Sequence, residues 1–353
     1  MSISEAIEAI NRKENGKYRP LDGIETEKLF SFFMVTNNGE AVGNNAQYIV
    51  TKDGKYCDWF TAGIPIPFLM AYPEYKGKVV KQWSQGEIKQ LLRRRGNGGT
   101  REKALKAFSK YADNFDRNII EIQLKIDHTY RVADIAERIA VSTGADLEFA
   151  WYLGLLHDIA RFEQYTKYGT FRDALSVDHA ELGADLLFGR ERLIDIFSLP
   201  ALPGASNETG MLIAEKAIRF HNKLTLPEGL DADTRMYCDI LRDADKCDIF
   251  RVLTEPPYDV RNREIAGSDT PASEEIMAGV MEHRCVSRIY VKNPFESLLG
   301  QCCMFFELVY PESIAIVREQ GYLEKLIDIP VKNDKMKKQM DLLKQEIRGA
   351  YAI

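Results

Sequence analysis

Residues 153–161 read LGLLHDIAR, an apolar run in which a histidine and an aspartate, His157 and Asp158, stand side by side. Asp146 lies upstream where a helix N-cap is expected, so the pattern predicts a helix from Asp146 through Gly154 to the doublet. Neighbouring residues of a helix lie about 100° apart around its axis, so both side chains can point into one pocket near the helix end. The sequence therefore predicts a polar pocket at the end of this helix.

Four of the five histidines fall in one ordered series with two aspartates. Imidazole and carboxylate groups suit divalent metals of hard to intermediate character. Each interval in the series accommodates one helix and a turn, so each ligand can come from a different helix and project into the centre of a bundle. We therefore predict a metal site formed by His128, His157, Asp158, His179, His221 and Asp245.

The 353 residues are predicted to form two domains and a mainly α-helical protein. The stretch YIVTKDGKYCDWF contains two β-rich runs around Asp53-Gly54, which is a hairpin signal. The polar run RGNGGT at 95–100 is typical of a linker. We therefore predict a small α+β domain of unknown role over residues 1–98 and an all-helical bundle with C-terminal helices over residues 99–353.

Helical periodicity accounts for most of the second domain. By contrast, RFEQYTKYGTFRD at 161–173 is aromatic and charged, and it reads as a loop that could cover a site. Helices are predicted over 101–140, from Asp146 to the doublet, from about Asp178, over 208–222, 233–253, 273–290, 295–309 and 311–327, and from Lys332 to the end.

Composition and charge argue against several classes of protein. The net charge of −6 argues against broad binding to duplex nucleic acid or to an anionic membrane. No apolar stretch reaches the about 20 residues that span a bilayer, and the acidic amphipathic start of the chain lacks the basic head and apolar centre of a signal peptide. The six cysteines form no CxxC pair, which is typical of reduced thiols. We expect a cytoplasmic protein that could form a homo-oligomer.

Three segments carry a resemblance to a known family. HTYRVADIAERIA, LGLLHDIARFEQ and LRDADKCDIF, in the order H…HD…D, are similar to the standard segments of the HD superfamily of metal-dependent phosphohydrolases. The resemblance covers about residues 103–255, and the helices that follow resemble the tail of bacterial HD-domain proteins. It implies an all-helical HD domain.

The resemblance also implies how the ligands are divided between ions. His128, His157, Asp158 and Asp245 correspond to the ligands of a first metal ion in the family. His179 and His221 resemble the two further histidines of dinuclear members, in which the aspartate of the doublet bridges both ions. It therefore implies two divalent metal ions (Mn, Fe, Co or Mg), although a histidine-rich set disfavours Mg at the second position.

The activity that the resemblance implies is hydrolysis of a phosphoester or phosphoanhydride, with a nucleotide as the expected substrate, by metal-activated water. Asp158 is expected to take part in catalysis, and Arg161 and Lys246 to contact phosphoryl oxygens. The GYP signature of cyclic di-GMP phosphodiesterases is missing, which disfavours that substrate.

Two other functions fit the same ligand order. Some HD-fold proteins that this chain also resembles are mixed-valence di-iron oxygenases, and ligand identity does not separate them from hydrolases. A nucleotide-binding sensor module without turnover is a third possible function.

Four residues near the series have other expected roles. Asp243 and Asp248 are expected to orient histidines or pair with lysine. Glu181 is a candidate for a proton shuttle, and His283 is expected to be structural.

Overall fold

The computed structural model describes residues 3–14, 18–36, 47–60, 66–84 and 98–351. The chain divides into two compact units, residues 1–99 and residues 100–353. Residues 95–97 of the predicted linker lie outside the described residues. The first unit is built around a small antiparallel sheet and the second is helical, so the prediction of a mainly α protein with a small α+β domain is confirmed.

The first unit contains a five-stranded antiparallel sheet with the strand order β4-β3-β2-β1-β5. The predicted hairpin at Asp53-Gly54 is present, because β3 and β4 pair from Gln47 opposite Phe60 to Val50 opposite Cys57. The elements are α1 (Ile3–Glu14), β1 (Tyr18–Thr26), β2 (Leu29–Thr36), β3 (Gln47–Thr51), β4 (Cys57–Phe60), α2 (Ile66–Ala71) and β5 (Val79–Trp83).

Both faces of this sheet bury apolar side chains, as the alternation of residues along β2 and β3 requires. One face packs against the apolar side of α1, where Ile7 and Ile10 contact a layer that includes Phe30 and Tyr48. The other face carries a smaller cluster of Leu29, Ile49 and Phe68.

The rest of the described chain is helical apart from its connections and short 3-10 turns. None of its helices is long and apolar enough to cross a bilayer, within the residues that the structure describes. The helices are α3 (Gly98–Ala112), α4 (Ile120–Thr143), α5 (Leu147–Leu156), α6 (Arg161–Tyr168), α7 (His179–Phe188), α8 (Ile194–Phe197), α9 (Asn207–Phe220), α10 (Ala232–Val252), α11 (Asp259–Gly267), α12 (Glu274–Met281), α13 (Pro294–Cys302), α14 (Pro311–Gln320), α15 (Tyr322–Ile327) and α16 (Asp334–Ala350).

Several predicted helices differ from those observed. The stretch at 161–173, predicted to be a loop, forms α6 up to Tyr168, because Phe162 is buried in the core and Tyr165 packs against it at helical spacing. The helix predicted over 273–290 ends at Met281, and that predicted over 311–327 is divided at Gly321, whose φ of 65° lies outside the right-handed helical region. Periodicity persists across such breaks because the segments on both sides bury apolar residues in one core.

Five helices of the second unit enclose its polar centre. Helix α4 packs against α5 and α10, and α9 packs against α10 and α7. The α4–α5 contact is unusually close, since a Cβ atom placed on Gly154 would lie 2.5 Å from Cα and 2.8 Å from N of Ala133. Gly154 therefore lets two helix backbones approach directly, three residues before the doublet.

We expect the Gly154→Ala substitution to lower the free energy of unfolding by about 1–3 kcal/mol, because the added methyl group meets backbone that cannot rotate away. Chemical denaturation followed by circular dichroism measures the change. Gly300→Ala is the matched control: Gly300 also lies in a helix, but its Cβ would meet no atom within 4 Å. That variant should gain about 0.5–1 kcal/mol, and an equal loss in both variants would contradict the close-packing argument.

Candidate metal centre

The structure brings all six predicted ligands together at the centre of the second unit. They come from five places in the fold: α4, the α5–α6 junction, the start of α7, the residue after α9, and the middle of α10. The four histidines and Asp158 are at most 4% exposed, and the side chain of Asp245 is 16% exposed. The predicted ligands are His128, His157, Asp158, His179, His221 and Asp245.

The doublet is placed by the end of α5. Asp146 caps this helix by accepting a hydrogen bond from the backbone N of Phe149, as predicted. The helix ends at Leu156, and His157 and Asp158 lie in the turn that connects it to α6. Because the chain changes direction there, the two neighbouring side chains reach the same pocket.

One oxygen of Asp158 belongs to a first group of ligand atoms. Asp158 Oδ2 lies 3.5 Å from His128 Nε2 and 3.4 Å from His157 Nε2. Asp245 Oδ1 lies 3.1 Å from His128 Nε2 and 3.6 Å from His157 Nε2. These four residues surround one point with two imidazole nitrogens and two carboxylate oxygens.

The other oxygen of Asp158 belongs to a second group. Asp158 Oδ1 lies 3.4 Å from His179 Nε2 and 3.7 Å from His221 Nε2, and these two nitrogens are 3.0 Å apart. Asp158 therefore faces one pair of histidines with each of its oxygens, which is the geometry of a carboxylate that can bridge two ions.

Backbone carbonyls fix the orientation of two of the histidines. His157 Nδ1 donates to Gly154 O at 2.7 Å, and His221 Nδ1 donates to Ile218 O at 2.7 Å. A carbonyl can only accept, so the proton of each neutral ring lies on Nδ1. The Nε2 lone pair of each ring is then directed into the centre, as metal binding requires.

Carboxylates fix the other two rings. His128 Nδ1 lies 2.7 Å from Asp248 Oδ2, and Asp248 is itself bound by Arg131 at 2.6 Å. His179 Nδ1 lies 2.8 Å from Asp173 Oδ2. Asp248 thus orients a histidine as expected, whereas the similar role of Asp173 was not foreseen from the sequence.

Asp243 has a different role from the one expected. Its Oδ2 accepts hydrogen bonds from the backbone N of Val309 and Tyr310 and from Ser313 Oγ, at 2.7–3.0 Å. It therefore binds the start of α14 and contacts no ligand histidine. Burial raises the pKa of Asp243 to about 6.

The donor set fits divalent metal ions. His128 Nε2 and His157 Nε2 are buried and have no hydrogen-bond partner among the described residues, although carboxylate oxygens lie nearby. Two nitrogens that bind one ion at right angles, at about 2.1 Å each, lie about 3 Å apart, which matches the spacing of His179 Nε2 and His221 Nε2. Two of the His/Asp groups that could hold an ion are drawn entirely from the predicted ligands.

The pKa values of His157, Asp158 and Asp245 are all shifted in the centre. Burial opposes the charged form of His157, but Asp158 and Asp245 outweigh it and raise its pKa to about 10. The pKa of Asp158 and that of Asp245 are well below the usual range, because neighbouring cations and histidines outweigh burial. The centre therefore contains ionised carboxylates, which are the form of the side chain that binds a metal ion.

Lys125 is a residue of the centre that sequence reasoning missed. Its Nζ lies 2.6 Å from Asp158 Oδ2, and the residue is 9% exposed. Lys125 stands three residues before His128, so both lie on one face of α4. A lysine on the otherwise apolar, His-bearing face of a helix was the signal that could have identified it.

The two cations proposed from the sequence occupy different surroundings. Arg161 contacts the centre: Nε lies 3.3 Å from Asp158 Oδ1, and Nη1 donates to Phe171 O and Asp173. Lys246 instead lies 3.3 Å from Glu307, and no ligand carboxylate is within ion-pair distance of it in the described chain.

The remaining candidates lie outside the ligand set. Glu181 pairs with Arg219 and Lys223. His283 stacks on Phe306 and pairs with Glu346 at 2.7 Å, which agrees with the expectation that it is structural. All six cysteines are free thiols, as the sequence indicated.

Comparison with known proteins agrees with this geometry. Residues 126–250 match the model of the HD domain family. No curated protein and no solved structure matches the chain. The matched segment contains all six residues of the His/Asp cluster, so residues 126–250 form an HD domain.

Proposed function

We propose that the protein hydrolyses a phosphoester or phosphoanhydride with two divalent metal ions held by the six ligands. The observation that carries this proposal is the placement of Asp158, whose two oxygens face two separate pairs of histidines. Two such ions, when bound, polarise a phosphoryl group and lower the pKa of water toward neutrality so that it can attack phosphorus.

The residues of the chain supply donors and orientation. The histidines direct Nε2 into the centre because their Nδ1 atoms are held by carbonyls or carboxylates, and Asp158 and Asp245 offer ionised oxygens. Burial and the nearby Arg161 guanidinium lower the pKa of His179 to about 3, so this ring is an uncharged donor at neutral pH. The two imidazoles of His179 and His221 favour Mn, Fe or Co over Mg at the second position.

Formal charge supports an anionic substrate. Asp158, Asp245 and the ammonium of Lys125 leave one net negative charge when the histidines are neutral, and the two nearby arginines are each matched by a carboxylate outside the ligand set. With two divalent ions bound, the formal charge would become three positive. Such a centre attracts phosphoryl oxygens and favours them over a neutral polyol. A nucleotide stays the proposed substrate class, through the family resemblance.

We propose that Arg161 acts mainly through Asp158. Its guanidinium contacts Oδ1 of the bridging carboxylate and is held by Phe171 O and Asp173, so it fixes the orientation of Asp158. Contact of Lys246 with phosphate stays a prediction from the resemblance, and it would require release of Glu307.

Asp158→Ala is expected to remove both bound metal and turnover, because it deletes the one carboxylate shared by both ligand groups. Metal content per chain and release of phosphate from a nucleotide panel with Mn²⁺ under anaerobic conditions measure the two effects. Asp127→Ala is the matched control, since this carboxylate is exposed on the helix that carries His128. Turnover retained by Asp158→Ala would contradict the assignment, and activity that requires iron and oxygen would identify the oxygenase instead.

His179→Ala is expected to lower the metal content from about two ions to about one per chain, because His179 and His221 hold only the second group. His128→Ala should instead remove the first ion. Metal analysis after gel filtration, together with binding isotherms for Mn²⁺, separates the two variants. A wild-type protein that binds one ion, with no change in His179→Ala, would rule out the dinuclear centre.

Metal affinity is expected to rise with pH through the neutral range. The metal-free protein holds a proton on His157, whose pKa is raised to about 10, and an ion must displace that proton. Below that pKa, affinity should rise up to tenfold per pH unit for each proton displaced. Titration calorimetry with Mn²⁺ in buffers of different ionisation enthalpy measures the release. Affinity that is constant between about pH 6 and 8, without proton release, would contradict this assignment.

A further inference from the structure

Lys125 differs from the other cations of the centre in its partners. Arg131 is paired with Asp248, and Arg161 is held by Asp173 and by Phe171 O in addition to its contact of 3.3 Å with Asp158. For Lys125, the one carboxylate within 4.0 Å in the described chain is Asp158, at 2.6 Å. Its charge is therefore balanced only by a carboxylate that the metal ions would also use.

The position of Lys125 suits an incoming anion. Its Nζ lies 2.6 Å from Oδ2 of Asp158, so it lies beside the first group of ligand atoms, which contains His128 and His157. The side chain is 11% exposed, so a small part of it contacts solvent although most of it is buried. An ammonium carries three donors, and one hydrogen bond to Asp158 leaves others for a second acceptor.

The ring of Phe171 lies close to two cations of the centre. Its centroid is 5.7 Å from Lys125 Nζ and 5.6 Å from the guanidinium carbon of Arg161. Phe171 O accepts a hydrogen bond from Arg161 at 2.7 Å, which fixes this residue of the segment between α6 and α7. An apolar ring beside the ammonium limits access of water, and charge interactions are stronger where water is excluded.

We propose that Lys125 binds the phosphoryl oxygens of the substrate, a role that nothing in the sequence motifs assigned to it and that rests on the proposed function. With metal ions bound, Asp158 would no longer depend on Lys125 for its positive partner, and the ammonium could direct its remaining donors to an oxygen of the phosphoryl group. Lys125 is thus the cation of the centre that touches substrate, whereas Arg161 is a positioning residue for Asp158.

The test compares orthophosphate binding by the full-length, Mn²⁺-loaded protein and its variants. Lys125→Met should keep its metal content and bind orthophosphate about tenfold to a hundredfold more weakly, as expected for loss of a hydrogen bond between charged groups. Lys125→Arg should recover part of the affinity, and Lys106→Met, which alters an exposed lysine paired with Glu102, should leave it unchanged. Titration calorimetry gives the affinities, and metal analysis gives the ion content.

Two results would overturn the proposal. Unchanged orthophosphate affinity in Lys125→Met would exclude contact with the anion, and loss of metal from that variant would make Lys125 a counter-ion for Asp158. If Lys125→Met does not fold, chemical acetylation of the wild-type protein, read by mass spectrometry, serves instead. Orthophosphate should protect Lys125 and leave Lys106 reactive, and equal modification of Lys125 with and without orthophosphate would overturn the proposal.

The failure of this inference is distinguishable from that of the proposed function. If the wild-type protein binds orthophosphate through Lys125 but hydrolyses no phosphoester, the proposed hydrolase activity is wrong and the anion site at Lys125 is correct. If wild type and Lys125→Met hydrolyse the substrate with equal kcat/KM, the proposed hydrolase activity is correct and the proposed role of Lys125 is wrong.

Discussion

The second unit depends on a buried carboxylate that is shared between two sets of partners. Asp158 is 2% exposed, and each of its oxygens faces two imidazoles and one cation: Lys125 at Oδ2 and Arg161 at Oδ1. A buried carboxylate is costly unless positive charge and donors surround it. The helices that converge on it provide these groups, and the close contact of α4 with α5 at Gly154 brings Lys125 and the doublet within reach of one another. The need to surround the Asp158 carboxylate with positive charge and donors therefore links the packing of the bundle to the chemistry of its centre.

The C-terminal ends of two helices orient two of the predicted ligand histidines. His157 and His221 each follow the last residue of a helix, and each donates Nδ1–H to the carbonyl oxygen three residues earlier. The carbonyls in the last turn of a helix lack backbone partners, so they are available for this purpose. His221 thus satisfies the end of α9 and presents Nε2 to the centre at the same time. The same ring therefore caps the helix through Nδ1 and offers Nε2 as a ligand atom on its opposite side.

The sequence predicted the parts of the fold and of the centre that depend on local pattern. The capped helix from Asp146, the hairpin at Asp53-Gly54 and the ordered series of histidines and aspartates follow from spacing and residue type, and the structure brings all six members of the series together. Contacts between distant elements could not be predicted in the same way. Lys246 follows Asp245 directly, yet a rotation of about 100° around α10 directs it to Glu307 and away from the centre. Lys125 is near Asp158 only because α4 and α5 pack so closely, which no single helix pattern reveals.

The helices after the matched segment complete the support of the centre. Helix α10 carries Asp245 on the side that faces the other ligands, and its other side is bound by residues beyond 250. Asp243 accepts three hydrogen bonds from residues 309–313, and Lys246 pairs with Glu307. Arg242 donates to the carbonyl oxygens of Phe220, Lys223 and Leu224, which hold the segment that flanks His221. A buried carboxylate such as Asp243 would lose all three donors if this region were removed, at a cost of several kcal/mol. The unit that positions the ligands is therefore larger than the HD domain match, because the same helix that presents Asp245 to the centre requires the C-terminal helices for its opposite face.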